Sequence, residues 1–255
     1  MRKYLAIAVL LFTSCSQAGQ TEKLLVKLPN GQPAELKRVK EETGKLTVYE
    51  MTFTDKVRHE RLTVPAYRFG NYYFLQAFEL KDGRLVPVLK VRAEKVPIDV
   101  SFLRDVERKM RKAGINNVAG KKGAPRLYVI FDAYCPFCIK GIEKEYPELA
   151  KHYEIHFIPF AVHGEKSVKA LACILEGWKK ERPDEVLREV FGKFKGNWQE
   201  YEEQFNSCRQ EFAPLVKEIT STLIKNGIVA TPTFIYQKGD RFYLSIGKLP
   251  AGGEK

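Results

Sequence analysis

The order of apolar and polar residues predicts a mainly β region at the start of the chain. Short runs between residue 20 and residue 98 alternate apolar and polar positions, which is typical of strands with one packed face. We predict strands over residues 45–54, 56–67, 72–80 and 84–92, hairpin turns at Gly70-Asn71 and Asp82-Gly83, and a short helix over residues 34–42.

The pattern changes to a helical period after this region. A helix is predicted over residues 102–113, because apolar residues recur every four positions from Phe102 to Met110. Residues 115–124 are rich in Gly, Asn and Lys and predict a flexible loop. We interpret residues 99–124 as a linker helix and loop that join the N-terminal region to a second domain.

A buried strand followed by a pair of cysteines opens the second domain. Leu127 to Phe131 are β-branched or aromatic, and Cys135-Pro136-Phe137-Cys138 follows where a helix is predicted to begin. Pro136 suits the first helical position, which needs no N–H group. The sulfur of Cys135 would then face the positive end of the helix dipole, which stabilises a thiolate. Cys135 and Cys138 are therefore candidate redox-active residues.

Two other uses of this cysteine pair are open. A zinc site normally needs four ligands, from a second Cys-x-x-Cys or a histidine pair. Cys173 and Cys208 are 35 residues apart, and the four histidines show no finger-like spacing, so we expect no metal site. A purely structural disulfide is the other alternative. The step from strand to helix favours redox chemistry over both.

The rest of the second domain alternates between strands and helices. The helix after Cys138 is expected to bend at Pro147 and to end near residue 151, before a strand over residues 153–160. A mainly helical insert is predicted over residues 165–226. Two further strands, at residues 233–237 and 241–246, follow it.

Length and charge add limits on function. The 255 residues are enough for two modest domains, and 44% hydrophobic residues support real cores. The net charge is +12, but Lys and Arg are spread along the chain without a nucleic-acid-binding motif. We therefore interpret the charge as a solvated surface and expect no nucleic-acid partner. Loose attraction to anionic membranes is the second interpretation.

Residues 1–19 have the pattern of an export signal. Arg2 and Lys3 precede an apolar run of nine residues, which is too short to span a bilayer as a mature helix. Phe12-Thr13-Ser14-Cys15 resembles a bacterial lipoprotein cleavage box, with Phe12 where Leu is usual, so Cys15 is a lipidation candidate. Cleavage after Ser16-Gln17-Ala18 is the alternative. Both interpretations export the chain, and the first adds a lipid tether.

Two motifs and a cysteine pair carry a family resemblance. They are the segment Phe131-Asp132-x-x-Cys135-x-x-Cys138 at a strand–helix junction, the segment Gly227-Ile-Val-Ala-Thr231-Pro232-Thr233, and the pair Cys173 and Cys208. Over about residues 126–247 the chain resembles thioredoxin-fold proteins, in particular bacterial periplasmic thiol:disulfide interchange proteins of the DsbC/DsbG family.

The resemblance implies a fold for each region. Residues 20–98 would form an α+β N-terminal domain that makes a homodimer, joined by the linker helix to an α/β thioredoxin-fold domain at residues 125–255. The helical insert at residues 165–226 would lie within that second domain. A moderately stable lone sheet with exposed strand edges is expected to pair with a partner, which is consistent with a dimer but does not decide it.

The resemblance also implies roles for the site residues. Cys135 would be the nucleophile and Cys138 its partner, while Thr231 and Pro232 would form a cis-proline loop that binds substrate. Cys173 and Cys208 would form a structural disulfide. If Cys15 is lipidated or removed, four of the five cysteines remain, and they divide into these two pairs in an oxidising compartment.

The activity implied is the isomerisation or reduction of wrong disulfides in exported proteins of the periplasm. A membrane thiol reductase of the DsbD type would be the second partner, and no cofactor is expected. Two alternatives stay open: a monomeric thiol oxidase similar to DsbA, and a chaperone or assembly module with secondary redox activity. The Pro136-Phe137 dipeptide does not give the direction of electron flow. Thr231 before Pro232 resembles the isomerases more than the oxidases.

Overall fold

The computed structural model describes residues 23–28, 32–42, 46–69, 72–74, 78–81, 84–87 and 91–248. Contacts divide the chain into two units, one up to Val96 and one from Pro97 onward. Each unit has its own cluster of buried apolar residues. Within the described ranges, no helix combines the length and apolar character needed to cross a bilayer.

The first unit is built from antiparallel strands. In chain order they are β1 (Lys23–Lys27), β2 (Pro33–Glu42), β3 (Leu46–Asp55), β4 (Glu60–Phe69), β5 (Tyr72–Phe74), β6 (Phe78–Lys81), β7 (Arg84–Pro87) and β8 (Arg92–Lys95). The main sheet has the order β1-β2-β3-β4-β5, and β8 also pairs with β4, while β6 and β7 form a separate two-stranded sheet. Its core is small and includes Leu36, Tyr49 and Met51.

The structure corrects three predictions in this unit. The helix predicted over residues 34–42 is wrong, because β2 occupies this segment and pairs with both β1 and β3. Ala34 and Leu36 point into the core while Lys37 is exposed, which is a strand pattern that overrides the helical propensity of these residue types. The single strand predicted over residues 72–80 is also wrong, since β5 and β6 belong to different sheets. The single strand predicted over residues 84–92 is wrong for the same reason, because β7 pairs with β6 and β8 pairs with β4.

Some predictions concern residues that the structure does not describe. They are the turns at Gly70-Asn71 and Asp82-Gly83, and the export signal at residues 1–19 with Cys15. These stay predictions.

The second unit contains a five-stranded mixed sheet and seven helices among the residues described. Its elements are α1 (Ser101–Lys112), β9 (Val118–Gly120), β10 (Arg126–Phe131), α2 (Pro136–Lys144), α3 (Tyr146–His152), β11 (Glu154–Pro159), α4 (Glu165–Trp178), α5 (Pro183–Gly192), α6 (Trp198–Glu203), α7 (Ala213–Lys225), β12 (Thr233–Lys238) and β13 (Arg241–Ile246). The strand order is β13-β12-β10-β11-β9, with β10 and β11 parallel and the other neighbours antiparallel. This α/β arrangement is consistent with a thioredoxin-like fold.

Helix α1 contributes to the core of the second unit. Phe102, Val106 and Met110 are buried there, on the face that the sequence predicts. Its role as a linker stays a prediction. The prediction that residues 115–124 are all loop is wrong, because β9 forms within them and pairs with β11 at the sheet edge. Gly120 has φ of 78°, and an added Cβ would approach the carbonyl oxygen of Tyr153 to 2.5 Å. Only glycine fits this approach of two backbones.

Candidate functional site: a buried dithiol at a helix start

The two cysteines of Cys135-Pro136-Phe137-Cys138 lie where β10 passes into α2. Cys135 is the N-cap residue, with extended φ and ψ of −88° and 113°, and Pro136 opens the helix. The backbone N–H groups of Cys138 and Ile139 donate to the carbonyl oxygen of Cys135, at 2.9 and 3.1 Å. The sulfur of Cys135 therefore lies at the end of α2 where the helix dipole is positive, as the spacing predicts.

Both cysteines are free thiols and both are shielded from solvent. Cys135 is 4% exposed and Cys138 is 3% exposed, while Phe137 between them is 71% exposed. The Cys135 thiol donates to the carbonyl oxygen of Thr231 at 3.4 Å. The reactive sulfur is thus held at the surface edge of the core, beside an exposed aromatic ring.

The surroundings separate the acidities of the two thiols. A hydrogen bond from the Cys138 thiol is the largest cause that lowers the pKa of Cys135 to about 6. Burial opposes this effect, and hydrogen bonds from the Thr231 side chain and from the N–H groups of Cys138 and Phe137 add to it. Burial is the main cause that raises the pKa of Cys138 well above its ordinary value. Near neutral pH the negative charge is therefore concentrated on Cys135.

The loop before β12 faces the dithiol. Thr231 and Pro232 are joined by a cis peptide bond. Strand β12 pairs with β10 so that Thr233 lies opposite Ile130, near the end of β10 that leads to the cysteines. This register brings the Thr231 carbonyl to Cys135. The structure thus collects Cys135, Cys138, Thr231 and Pro232 at one end of the sheet.

The second cysteine pair lies within the helical insert. Cys173 in α4 and Cys208 after α6 are joined by a disulfide, and their Cα atoms are 5.4 Å apart. The bond connects the longest helix of the insert to the segment that follows its shortest helix.

Asp132 connects the cysteine loop to the chain after β11. Its carboxylate is fully buried and accepts hydrogen bonds from the N–H groups of Tyr134 at 2.8 Å and Val162 at 2.6 Å. The hydroxyl of Ser167 donates to it at 2.8 Å, and the ring of His163 lies 3.0 Å away. The motif contains Asp132, but its partners other than Tyr134 are 30 or more residues away, so the sequence alone did not indicate this network.

Aromatic residues in and after α6 contact the same loop, and one of them makes a hydrogen bond that the sequence analysis did not predict. The hydroxyl of Tyr201 donates to the carbonyl oxygen of Ala133 at 3.1 Å. The ring of Trp198 stacks on Tyr134 with centroids 5.5 Å apart, and Phe205 lies beside both tyrosines. The signal in the sequence is the spacing of Trp198, Tyr201 and Phe205, which places three rings on one side of the chain.

Among the described residues, no three His, Cys, Asp or Glu side chains are arranged to hold a metal ion. The groups that the site presents are its two sulfurs, the hydrogen bonds around them and the exposed ring of Phe137.

Comparisons with known proteins found similar structures but no similar sequences. No protein-family model and no curated protein matches the chain. A linker-deletion variant of ScsC from Proteus mirabilis is 20% identical with a TM-score of 0.42, over 56% of this chain and 73% of that one. DsbG from Helicobacter pylori is 13% identical with a TM-score of 0.40, over 80% and 94%. DsbA2 from Pseudomonas aeruginosa is 18% identical with a TM-score of 0.39, over 52% and 87%. These similarities are thus to the folds of proteins named ScsC, DsbG and DsbA2.

Proposed function

We propose that this chain is a thiol-disulfide oxidoreductase that isomerises or reduces wrong disulfides in exported proteins. One observation carries the proposal. Within a single buried pair, the pKa of Cys135 is lowered to about 6 while that of Cys138 is raised. A structural disulfide does not require its two thiols to differ in pKa. An exchange reaction requires one ionised sulfur that attacks the substrate and a second, protonated sulfur that can later resolve the mixed disulfide.

The first step is attack on a substrate disulfide. The Cys135 thiolate forms a bond to one substrate sulfur, and the substrate S–S bond breaks. The second substrate sulfur leaves as a thiolate and takes a proton from water. The product is a mixed disulfide, and no net oxidation or reduction of the pair of molecules has occurred.

The mixed disulfide can be resolved in two ways. In isomerisation, another substrate thiolate attacks, a different substrate disulfide forms, and Cys135 leaves as a thiolate. In reduction, Cys138 loses its proton and attacks the sulfur of Cys135, so that the substrate leaves with two thiols and Cys135–Cys138 becomes a disulfide. Two electrons have then passed to the substrate, and a thiol reductase must return them. The family resemblance suggests a membrane reductase of the DsbD type.

Substrate binding is assigned to the loop of Thr231 and Pro232 and to the surface around it. An extended substrate segment can pair with the backbone of this loop like an added strand. Phe137, Val162 and Val229 are exposed apolar residues; they lie at the start of α2, in the chain after β11 that binds Asp132, and shortly before Thr231. They would contact apolar side chains next to the substrate disulfide, which are exposed when a protein is misfolded.

The lowered pKa supports isomerisation or reduction over strong oxidation. Reactive thiols in reducing thioredoxin-fold proteins have pKa values of about 7, and those of the strongest oxidants have values of about 3.5. The value of about 6 for Cys135 is nearer to the first group. A reduction potential above about −130 mV for Cys135–Cys138 would favour the oxidase instead.

Location and assembly are proposed from the export signal and the family resemblance. The chain would act in the periplasm as a homodimer formed by the N-terminal region, with a lipid tether if Cys15 is modified. The solution mass of the full chain tests the dimer. The mass of the exported protein, compared with its Cys15→Ser variant, tests the tether.

The decisive experiment traps the mixed disulfide. The Cys138→Ser variant, incubated with a scrambled disulfide protein, is expected to accumulate a covalent complex that a reductant dissolves. Cys135→Ser should form none and should lose isomerase and reductase activity. Full activity of Cys135→Ser would contradict the proposal. If the double variant Cys135→Ser, Cys138→Ser still prevented aggregation while the wild type showed no exchange, the chaperone alternative would stand.

A further inference from the structure

A hydrogen bond connects the helical insert to the loop that carries Cys135. The hydroxyl of Tyr201 donates to the carbonyl oxygen of Ala133 over 3.1 Å, and the two residues are 68 positions apart in the chain. Tyr201 is 1% exposed and Ala133 is fully buried. Water cannot replace the bond at such a position, so the Ala133 carbonyl depends on Tyr201 for a partner.

The hydrogen bond from Tyr201 can affect Cys135 because of where Ala133 lies in the chain. Ala133 lies between the end of β10 and Cys135, in the short loop that sets where α2 begins. The loop is also held by the N–H group of Cys135, which donates to the carbonyl oxygen of Asp132 at 3.2 Å, and by the Asp132 carboxylate, which binds the N–H group of Tyr134. Tyr201 supplies a hold on this loop from outside it, on the carbonyl two residues before Cys135.

We propose that Tyr201 is a positioning residue for Cys135. By holding the Ala133 carbonyl, its hydroxyl keeps the sulfur of Cys135 against the first-turn N–H groups of α2 and beside Thr231. The proposal rests on the proposed function, since it assigns the hydroxyl a part in forming the reactive thiolate.

Contacts before and after Tyr201 in the chain hold this residue in place. Helix α6 begins at Asn197, whose side chain accepts a hydrogen bond from the N–H group of Gln199 at 3.0 Å. Phe205 packs edge-on to the Tyr201 ring, with centroids 5.3 Å apart. Farther along, Cys208 is bonded to Cys173 in α4. The N-cap of α6, the ring contact with Phe205 and the Cys173–Cys208 disulfide therefore restrict where the Tyr201 hydroxyl can lie.

The charged and titratable groups around the loop are the same with or without this hydroxyl. Asp132 is held by its own donors, and Tyr134 is hydrogen-bonded to Glu202. The amino group of Lys166 lies 4.6 Å from the Tyr134 ring centroid, and the His163 ring contacts Asp132. Replacing Tyr201 with Phe changes none of these charges. A shift in the acidity of Cys135 would then report its position and not a lost charge.

The test measures the alkylation rate of Cys135 against pH in the reduced full chain. In Tyr201→Phe we expect the midpoint to rise by about half a pH unit or more, because one buried hydrogen bond no longer fixes the loop. The matched control is Tyr243→Phe, which removes a hydroxyl on β13, where Tyr243 pairs with Tyr236, a residue of β12 beyond Thr233 in the direction away from Pro232. Its midpoint should equal that of the wild type. Tyr201→Leu removes the ring as well and should lower stability further without a further rise of the midpoint.

Each other result would overturn the proposal. An unchanged midpoint in Tyr201→Phe would do so, as would a rise that Tyr243→Phe also shows. A much larger rise in Tyr201→Leu than in Tyr201→Phe would mean that packing controls the thiol. Failure of Tyr201→Phe to fold would assign the hydroxyl to stability alone. A wild-type midpoint equal to that of a free thiol is a different failure, because it would remove the proposed function and not the contact.

Discussion

The second unit contains two cysteine pairs that the fold treats in opposite ways. Cys135 and Cys138 lie three positions apart at the start of one helix and are free thiols, with one sulfur made more acidic and the other less. Cys173 and Cys208 lie 35 positions apart and are bonded to each other. The first pair is set by local backbone geometry, whereas the second depends on how the insert packs.

The number of residues between two cysteines affects how much their disulfide stabilises the fold. A bond across a four-residue ring restricts the unfolded chain very little, so its formation and cleavage cost the fold little. A bond that closes a 35-residue loop removes much more freedom from the unfolded chain. The short pair is thus suited to cycle between thiol and disulfide, and the long pair is suited to remain closed.

The largest expected effect is on stability, from removal of the long-range pair. For a loop of this length, Cys173→Ser with Cys208→Ser is expected to lower the free energy of unfolding of the second unit by about 4 kcal/mol. The measurement is denaturant unfolding followed by tryptophan fluorescence. Cys135→Ser with Cys138→Ser is the matched control; at pH 5, where the Cys135 thiol is protonated in both states, its loss should be less than about 1 kcal/mol. Equal losses in the two double variants would end the distinction between the pairs.

The same division explains what the sequence could predict. The N-cap position of Cys135, the start of α2 at Pro136 and the extended Thr233 segment follow from neighbouring residues, and the structure has them where the sequence places them. The bonds from Tyr201 to Ala133 and from Val162 to Asp132 join residues 68 and 30 positions apart. No local pattern encodes such contacts, since they exist only after the insert has packed.

The errors in the fold have a related cause. Strand β2 has a composition that suits a helix, but its pairing with β1 and β3 makes this segment a strand. Strand β9 has three residues and exists through its pairing with β11. In contrast, the buried face of α1 was predictable, because the spacing from Phe102 to Met110 is a property of the helix alone.

The next largest effect is the pH dependence of the short pair. With a pKa of about 6 for Cys135, its alkylation rate should reach half of its plateau near pH 6, compared with about pH 8.5 for a free thiol. The midpoint decides the matter better than the rate at pH 7, since a less basic thiolate is also a weaker nucleophile. A midpoint near pH 8.5 would mean that the helix start has no influence on Cys135.

The lowered pKa also predicts how the stability of the reduced protein changes with pH. A thiolate that is favoured in the folded state stabilises it fully above the unfolded pKa of about 8.5, and this contribution is lost as the pH falls through about 6. Relative to Cys135→Ser, the free energy of unfolding should therefore rise from pH 6 to pH 8.5. At higher pH the raised pKa of Cys138 acts in the opposite direction, because burial disfavours its thiolate. A flat difference between the two proteins would contradict the assignment.

A smaller effect on stability is expected from Asp132, which links the loop of the short cysteine pair to the helix that carries Cys173. Asp132 lies in the cysteine loop and accepts a hydrogen bond from Ser167 in α4, the helix that carries Cys173. In Asp132→Asn an amide NH₂ group replaces one acceptor oxygen and faces donors, so we expect a loss of about 2 kcal/mol in stability. Asp105→Asn is the control, because that carboxylate is exposed and pairs with Arg108, and should cost less than about 0.5 kcal/mol. Urea unfolding at constant pH measures both, and a loss no larger than the control's would show that the network is not needed.

The smallest effect on the fold should come from Phe137, the exposed residue between the two reactive sulfurs. Phe137→Ala should change stability by less than about 0.5 kcal/mol, since the ring is 71% exposed. It should leave the midpoint of Cys135 nearly unchanged, because residue 137 acts on that thiol through its backbone N–H group. Reduction of a disulfide protein should fall about three- to tenfold through lost apolar contact, while reduction of a small soluble disulfide should not change. Ile224→Ala, an exposed apolar residue on α7, is the control and should affect neither reaction. An equal decrease for both substrates of Phe137→Ala would place the ring in support of the thiol, and not in contact with the substrate.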